Sequence, residues 1–194
     1  MKKIITHLQK IASEKNVVFT FVPAMAVYLL MLLYTIPKVE SFAPGRTLFD
    51  LSPSGYSYQY AKSLLESLGE QGRSVYLYQQ LPADFLYPGL FAVSCSLLLT
   101  WLFAKSFKAN SKMFYIAIVP ALGGLFDYLE NVSIVLMIKS FPGLSQGLVA
   151  IASIFTVLKS VFTIVFFFLL FVGCAAFLVS RLRRNHAAEN FIGK

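Results

Sequence analysis

Apolar residues dominate the chain in long runs, broken by short polar stretches. Four runs, at 17–36, 85–104, 113–138 and 148–180, match or exceed the ~20 residues that a helix needs to cross a hydrocarbon core. None shows the strict alternation of a barrel strand. Lipid offers no partner for a free backbone N–H or C=O, so the runs are expected to be helices. The pattern predicts an all-α membrane protein, a four-transmembrane-helix bundle forming a single domain over 1–194. The third and fourth runs exceed one bilayer thickness and are expected to tilt or to project beyond it.

Two amphipathic stretches lie outside the runs. Near the start, Ile4, Ile5, Leu8, Ile11 and Ala12 form an apolar stripe at helical spacing, with lysines on the other faces. This predicts a short helix on the inner leaflet, or a plain anchor for the first span. The 37–84 connection opens with the turn-forming strings Ala43-Pro44-Gly45 and Ser52-Pro53-Ser54-Gly55. Tyr58, Ala61, Leu64, Leu65 and Leu68 then mark one face of a helix ending near Gly69 or Gly72. A further helix is expected from Ser74 to Leu81. Six tyrosines, at 56, 58, 60, 76, 78 and 87, suit an aromatic belt at the headgroups, or a lid over a site open to the outer leaflet.

The polar interruptions inside the runs carry the chemistry. Asp127, Glu130 and Asn131 stand at i, i+3 and i+4 and share one helical face. Carboxylates within a membrane span are costly and are therefore candidates for function. Asp84 lies 21 residues before Lys105, and Lys159 lies 22 residues before Arg181. With ~1.5 Å of rise per residue and a core of ~30 Å, both fall near the outer boundary. The same rise, counted from Lys112, puts that boundary near Ser133, with Asp127 and Glu130 just beneath it. Asp84, Asp127, Glu130, Asn131 and Lys159 thus form one predicted layer. Lys159 needs a counter-charge there, unless it snorkels to the surface. Gly123 and Pro120, on much the same face as Asp127, suggest that this face looks into the bundle.

Composition and charge orient this picture. The 194 residues are 57% hydrophobic and include 19 Phe, with a mean hydropathy of +0.69. Of the 17 basic residues, Lys2, Lys3, Lys10, Lys15, Lys105, Lys108, Lys112, Arg181, Arg183, Arg184 and Lys194 fall on one side. Only Glu14 and Glu189 of the nine acids join them. The positive-inside rule then puts both termini in the cytoplasm and the 37–84 connection outside, in a cytoplasmic (inner) membrane. The net +8 is a topology signal; no basic soluble face is predicted, so no nucleic-acid partner is implied. The N-terminal segment lacks a small-residue cleavage site and does not read as a signal peptide.

Several activities lose support. Both histidines, His7 and His186, lie outside the spans, which argues against a His-rich intramembrane zinc site. Cys95 and Cys174 fall within spans and read as packing residues. The sequence holds no phosphate-binding loop and no Cys-x-x-Cys pair, and no metal or cofactor is implied. The long first loop is similar in layout to that of claudins, but it lacks their paired cysteines and tryptophan motif, and Trp101 lies within a span.

Four readings of the polar layer follow. It could bind a small amphiphilic, lipid-like or cationic molecule at the outer leaflet. Asp127 or Glu130 would be the candidate acid/base, with Asn131 and Lys159 orienting a charged group. It could couple ions or protons, which requires a polar path to the inner side. Alternatively, the cluster only locks the helices in register. Finally, the chain could be a non-enzymatic accessory protein whose phenylalanine-rich fourth span meets lipid, a larger partner or a second copy. Membrane lipids are partners in every case. Acids outnumber the one basic residue of the layer, which favours the first reading.

Overall fold

A computed structural model describes residues 2–106 and 112–192. Lys108 and Lys194, counted above for topology, lie outside the described residues, as do the side chains of Lys2, Lys112, Arg183, Arg184 and Glu189. The described residues form helices and turns with no strand, and four helices are long and apolar enough to cross a membrane.

Helix α1 (Lys2–Ile11) is the amphipathic helix expected from its stripe. Ile5 is buried with Leu99, Leu102, Phe103 and Phe114, while Lys3 and Lys10 are exposed. Ser13 then caps α2 (Glu14–Glu40), its hydroxyl accepting from the Asn16 N–H at 3.3 Å. A π-helical turn at Met31–Thr35 interrupts α2. The helix packs on its neighbours only lightly, and Phe19, Val22, Leu30 and Leu33 remain exposed.

The connection that follows is a folded cap. A 3₁₀ turn at Phe49–Leu51 precedes α3 (Tyr58–Val75), whose expected apolar face is buried. Leu48, Phe49, Leu64, Leu65 and Tyr76 pack against Ile134, Met137, Val149 and Ala152 of the bundle. Each such side chain contributes roughly 1.5–3 kcal/mol by leaving water. Helix α3 breaks at Gly69, where φ is +61°, a conformation that a Cβ disfavours. The Arg73 guanidinium donates to the Leu65 carbonyl across the break at 2.7 Å. Tyr58 and Tyr60 hydrogen-bond to the Leu144 and Thr47 carbonyls, and Tyr76 is buried; among these loop tyrosines, Tyr78 stays exposed. Tyr56, Tyr58, Tyr60 and Tyr76 thus take part in the packing of the cap.

A second π-helical turn, Tyr76–Gln80, carries the chain without a loop into α4 (Leu81–Ser106), so the second span starts earlier than its apolar run. A 3₁₀ stretch, Lys112–Ile118, leads into α5 (Val119–Ser140), which has Pro120 in its first turn, where a missing N–H costs nothing. Helix α6 (Gln146–Ile192) continues well past the end of the fourth apolar run.

Helix α4 is central, packing against α2, α5 and α6, and α5 and α6 pack along each other. Helices α4 and α5 come close at Gly124, where an added Cβ would lie 2.7 Å from the Pro88 carbonyl oxygen and 3.2 Å from the Ala92 Cβ. Gly124, and not the Gly123 singled out from the sequence, lets α4 and α5 approach; Gly123 has ordinary clearance, 3.6 Å from the nearest atom. Helices α2 and α6 are not packed along each other, and a cavity occupies the space between them.

Candidate functional site

The five residues of the predicted layer converge at the capped end of the bundle. Asp84 is 3% exposed, Asp127 7%, and Glu130 and Asn131 0%, so all four face inward. From α6, Lys159 pairs with Glu130 and lies 3.4 Å from Asp127. Glu130 also accepts from the Thr156 hydroxyl at 2.6 Å. Lys159 does not snorkel out, because its Nζ also donates to the Asp50 carbonyl at 3.3 Å, tying the cap to the bundle.

Asn131 has a backbone partner. Its Nδ2 donates to the Asp84 carbonyl at 3.0 Å. In an α-helix that carbonyl would accept from residue 88, which here is proline and has no N–H. The side chain of Asn131 therefore supplies the donor that Pro88 removes, and it holds α4 against α5.

The Asp84 carboxylate is different. Among the described residues its Oδ2 has no hydrogen-bond or ion-pair partner. It lines the cavity between α2 and α6, together with Asp50, Asp127 and Lys159. Glu130 and Asn131 are not part of this wall.

The cavity measures about 380 Å³, inside the roughly 300–1,000 Å³ range of small-molecule sites. Its wall follows α6 from Lys159 to Leu170 and α2 from Phe21 to Met31. At ~1.5 Å per residue, each length is roughly 15–17 Å, about half a hydrocarbon core. Beyond the acids the lining is almost wholly apolar. Tyr28, Tyr87, Phe91 and Phe166 line it as a ladder of rings 5.4–5.8 Å apart, contributed by α2, α4 and α6. Ser94 is the polar residue deepest along α4 in the wall, and its hydroxyl donates to the Phe91 carbonyl of its own helix. Phe21, Met25, Tyr28 and Phe167 line the cavity yet are 36–57% exposed, so it reaches the outer face of the bundle between α2 and α6.

Asp50 had no place in the predicted layer. Its carboxylate accepts from the Tyr76 hydroxyl and from Gln80 Nε2, and Gln80 in turn contacts the Thr35 hydroxyl. The available signal was an acid isolated among Leu48, Phe49 and Leu51, an apolar pattern inside a loop read as turns. Arg73, the basic residue at the end of α3, lies away from this layer, over the Phe141 ring at 4.5 Å. Tyr56 closes the cap above Thr156, its N–H donating to Ser153 Oγ at 2.9 Å. Burial pushes its hydroxyl above the usual phenol range. Cys95 and Cys174 are both free; Cys95 lines the cavity and Cys174 is exposed. Among the described residues, no group of three or more His, Cys, Asp or Glu is arranged to hold a metal ion.

Four long apolar helices define the class: an all-helical membrane protein, here with a cavity that is polar at one end and apolar along its length. No family model, no curated protein and no solved structure matches the chain.

Proposed function

We propose that this protein binds a single-chain amphiphile from the outer leaflet of a cytoplasmic membrane. The head sits among Asp84, Asp127 and Lys159, and the tail lies between α2 and α6. The observation that carries this reading is the cavity itself, which joins a carboxylate-bearing end to an apolar length of about half a bilayer core and meets the lipid-facing surface. The bundle spans the membrane with both termini inside and the cap outside, on the strength of the basic residues at the α1 end. Glu130, Thr156 and Asn131 serve the scaffold, while Asp84 and Asp127 serve the ligand. The apolar lining beyond Ser94 speaks against a continuous ion path.

Thr163 lines the cavity, is half-buried and lies one turn beyond Lys159, so Thr163→Phe fills the cavity without touching the ion pairs. Native mass spectrometry of protein extracted in mild detergent should show a bound amphiphile in the wild type and its loss in Thr163→Phe. Ligand-free wild-type protein that also fails to take up any added fourteen-carbon amphiphile, whether amine, alcohol or carboxylate, would reject the proposal.

A further inference from the structure

Resting on that reading, the geometry points to the class of head group: we infer that the amphiphile carries a positively charged amine, and that Asp84 is the carboxylate that recognises it. The polar end holds four carboxyl groups, from Asp50, Asp84, Asp127 and Glu130, and one ammonium, from Lys159. That ammonium is already engaged by two carboxylates and a backbone carbonyl, so it has little to offer an anionic head. Asp50 is engaged as well, by Tyr76 and Gln80.

Asp84 alone of the four carboxylates is without a polar partner for its side chain among the described residues, although it is 97% removed from solvent. A buried carboxylate without a partner is expensive. Its backbone is fixed by Asn131, so it cannot readily turn away to find one within the protein. A ligand ammonium placed at the head of the cavity supplies both the missing hydrogen bond and the missing charge. A phosphate or carboxylate head would meet the acids and gain no free cation. An uncharged hydroxyl would supply the hydrogen bond without the charge, and should bind more weakly than the amine.

The test uses the full-length protein in detergent micelles and three probes of equal chain length: tetradecylamine, tetradecanol and tetradecanoate. Each displaces a fluorescent alkyl dye from the wild type, Asp84→Asn and Thr163→Phe. The expected result is that the amine binds the wild type at least tenfold more tightly than the alcohol, and that tetradecanoate is weakest. Asp84→Asn should bring amine and alcohol within about twofold of each other. Equal binding of amine and alcohol by the wild type, or tighter binding of tetradecanoate, overturns the head-group assignment while leaving amphiphile binding intact. Dye displacement by none of the probes overturns the amphiphile reading itself. The wild-type ranking decides the head group even if Asp84→Asn fails to fold. An amine preference that survives in folded Asp84→Asn transfers recognition away from Asp84 and overturns its role.

Discussion

Replacing Lys159 with methionine removes the one cation among four carboxyl groups while keeping most of the apolar stem. In the wild type, its Nζ pairs with Glu130, lies 3.4 Å from Asp127 and donates to the Asp50 carbonyl at 3.3 Å. Glu130 is completely buried and Asp127 nearly so. Removing one side of a buried ion pair costs about 3–5 kcal/mol, because the remaining charge stays desolvated without compensation. Membrane interiors temper such losses, since the unfolded helices also find partners there, and single polar contacts are worth about 0.6–2 kcal/mol. Three contacts are lost together here, which keeps the expected cost of Lys159→Met near ~3 kcal/mol. Glu130→Gln should cost only about 1 kcal/mol, because the amide still accepts from Thr156 and Lys159 keeps Asp127. The double variant should then be more stable than Lys159→Met alone. Unfolding by sodium dodecyl sulfate in mixed micelles, followed by circular dichroism and tryptophan fluorescence, measures all three. A Lys159→Met protein within about 0.5 kcal/mol of wild type would refute the claim that this ion pair anchors the bundle.

Other expectations follow from particular contacts. Asn131→Leu leaves the proline-freed Asp84 carbonyl unsatisfied and should cost about 1–3 kcal/mol in the same assay. Gly124→Ala forces a Cβ to within 2.7 Å of the Pro88 carbonyl oxygen and should destabilise by about 1–3 kcal/mol. Gly123→Ala, with 3.6 Å of clearance, should fall within about 0.5 kcal/mol of wild type, and equal costs at the two glycines would remove the case for a close crossing. For topology, a cysteine placed at exposed Lys62 in the cap should react with a membrane-impermeant maleimide added to intact cells, and one at Lys10 should not. The reverse labelling would invert the orientation.

The spans and the polar layer were legible because the bilayer writes a strong signal. Only a helix satisfies its own backbone in lipid, and charged residues there stand out one by one. Counting residues from the basic flanks was enough to bring Asp84 and Lys159 to the level of Asp127 and Glu130, since helical rise varies little. The division of labour within the layer was not legible. That Asn131 and Glu130 face the scaffold while Asp84 faces the cavity depends on how α4 and α5 are rotated, and Gly124 settles that rotation through a contact of a few ångströms. The cap was read less well than the bundle. Its turns, its tyrosines and Asp50 carry no period, and they fold through long-range contacts such as Tyr76 to Asp50 and Tyr56 to Ser153. The cavity had no signal at all, because an unfilled space between α2 and α6 is a property of packing and not of any residue.

The central claim is that an alkyl chain lies between α2 and α6 with its head at Asp84. The most direct measurement is photocrosslinking with a tetradecylamine that carries a diazirine at its terminal carbon, followed by mass spectrometry of the adducts. The account predicts adducts at Leu98, Phe166 and Leu170, along the apolar length of the cavity, and their loss in Thr163→Phe. Adducts confined to the outward-facing Leu33, Phe168, Phe171 and Leu178, unchanged by Thr163→Phe, would contradict it.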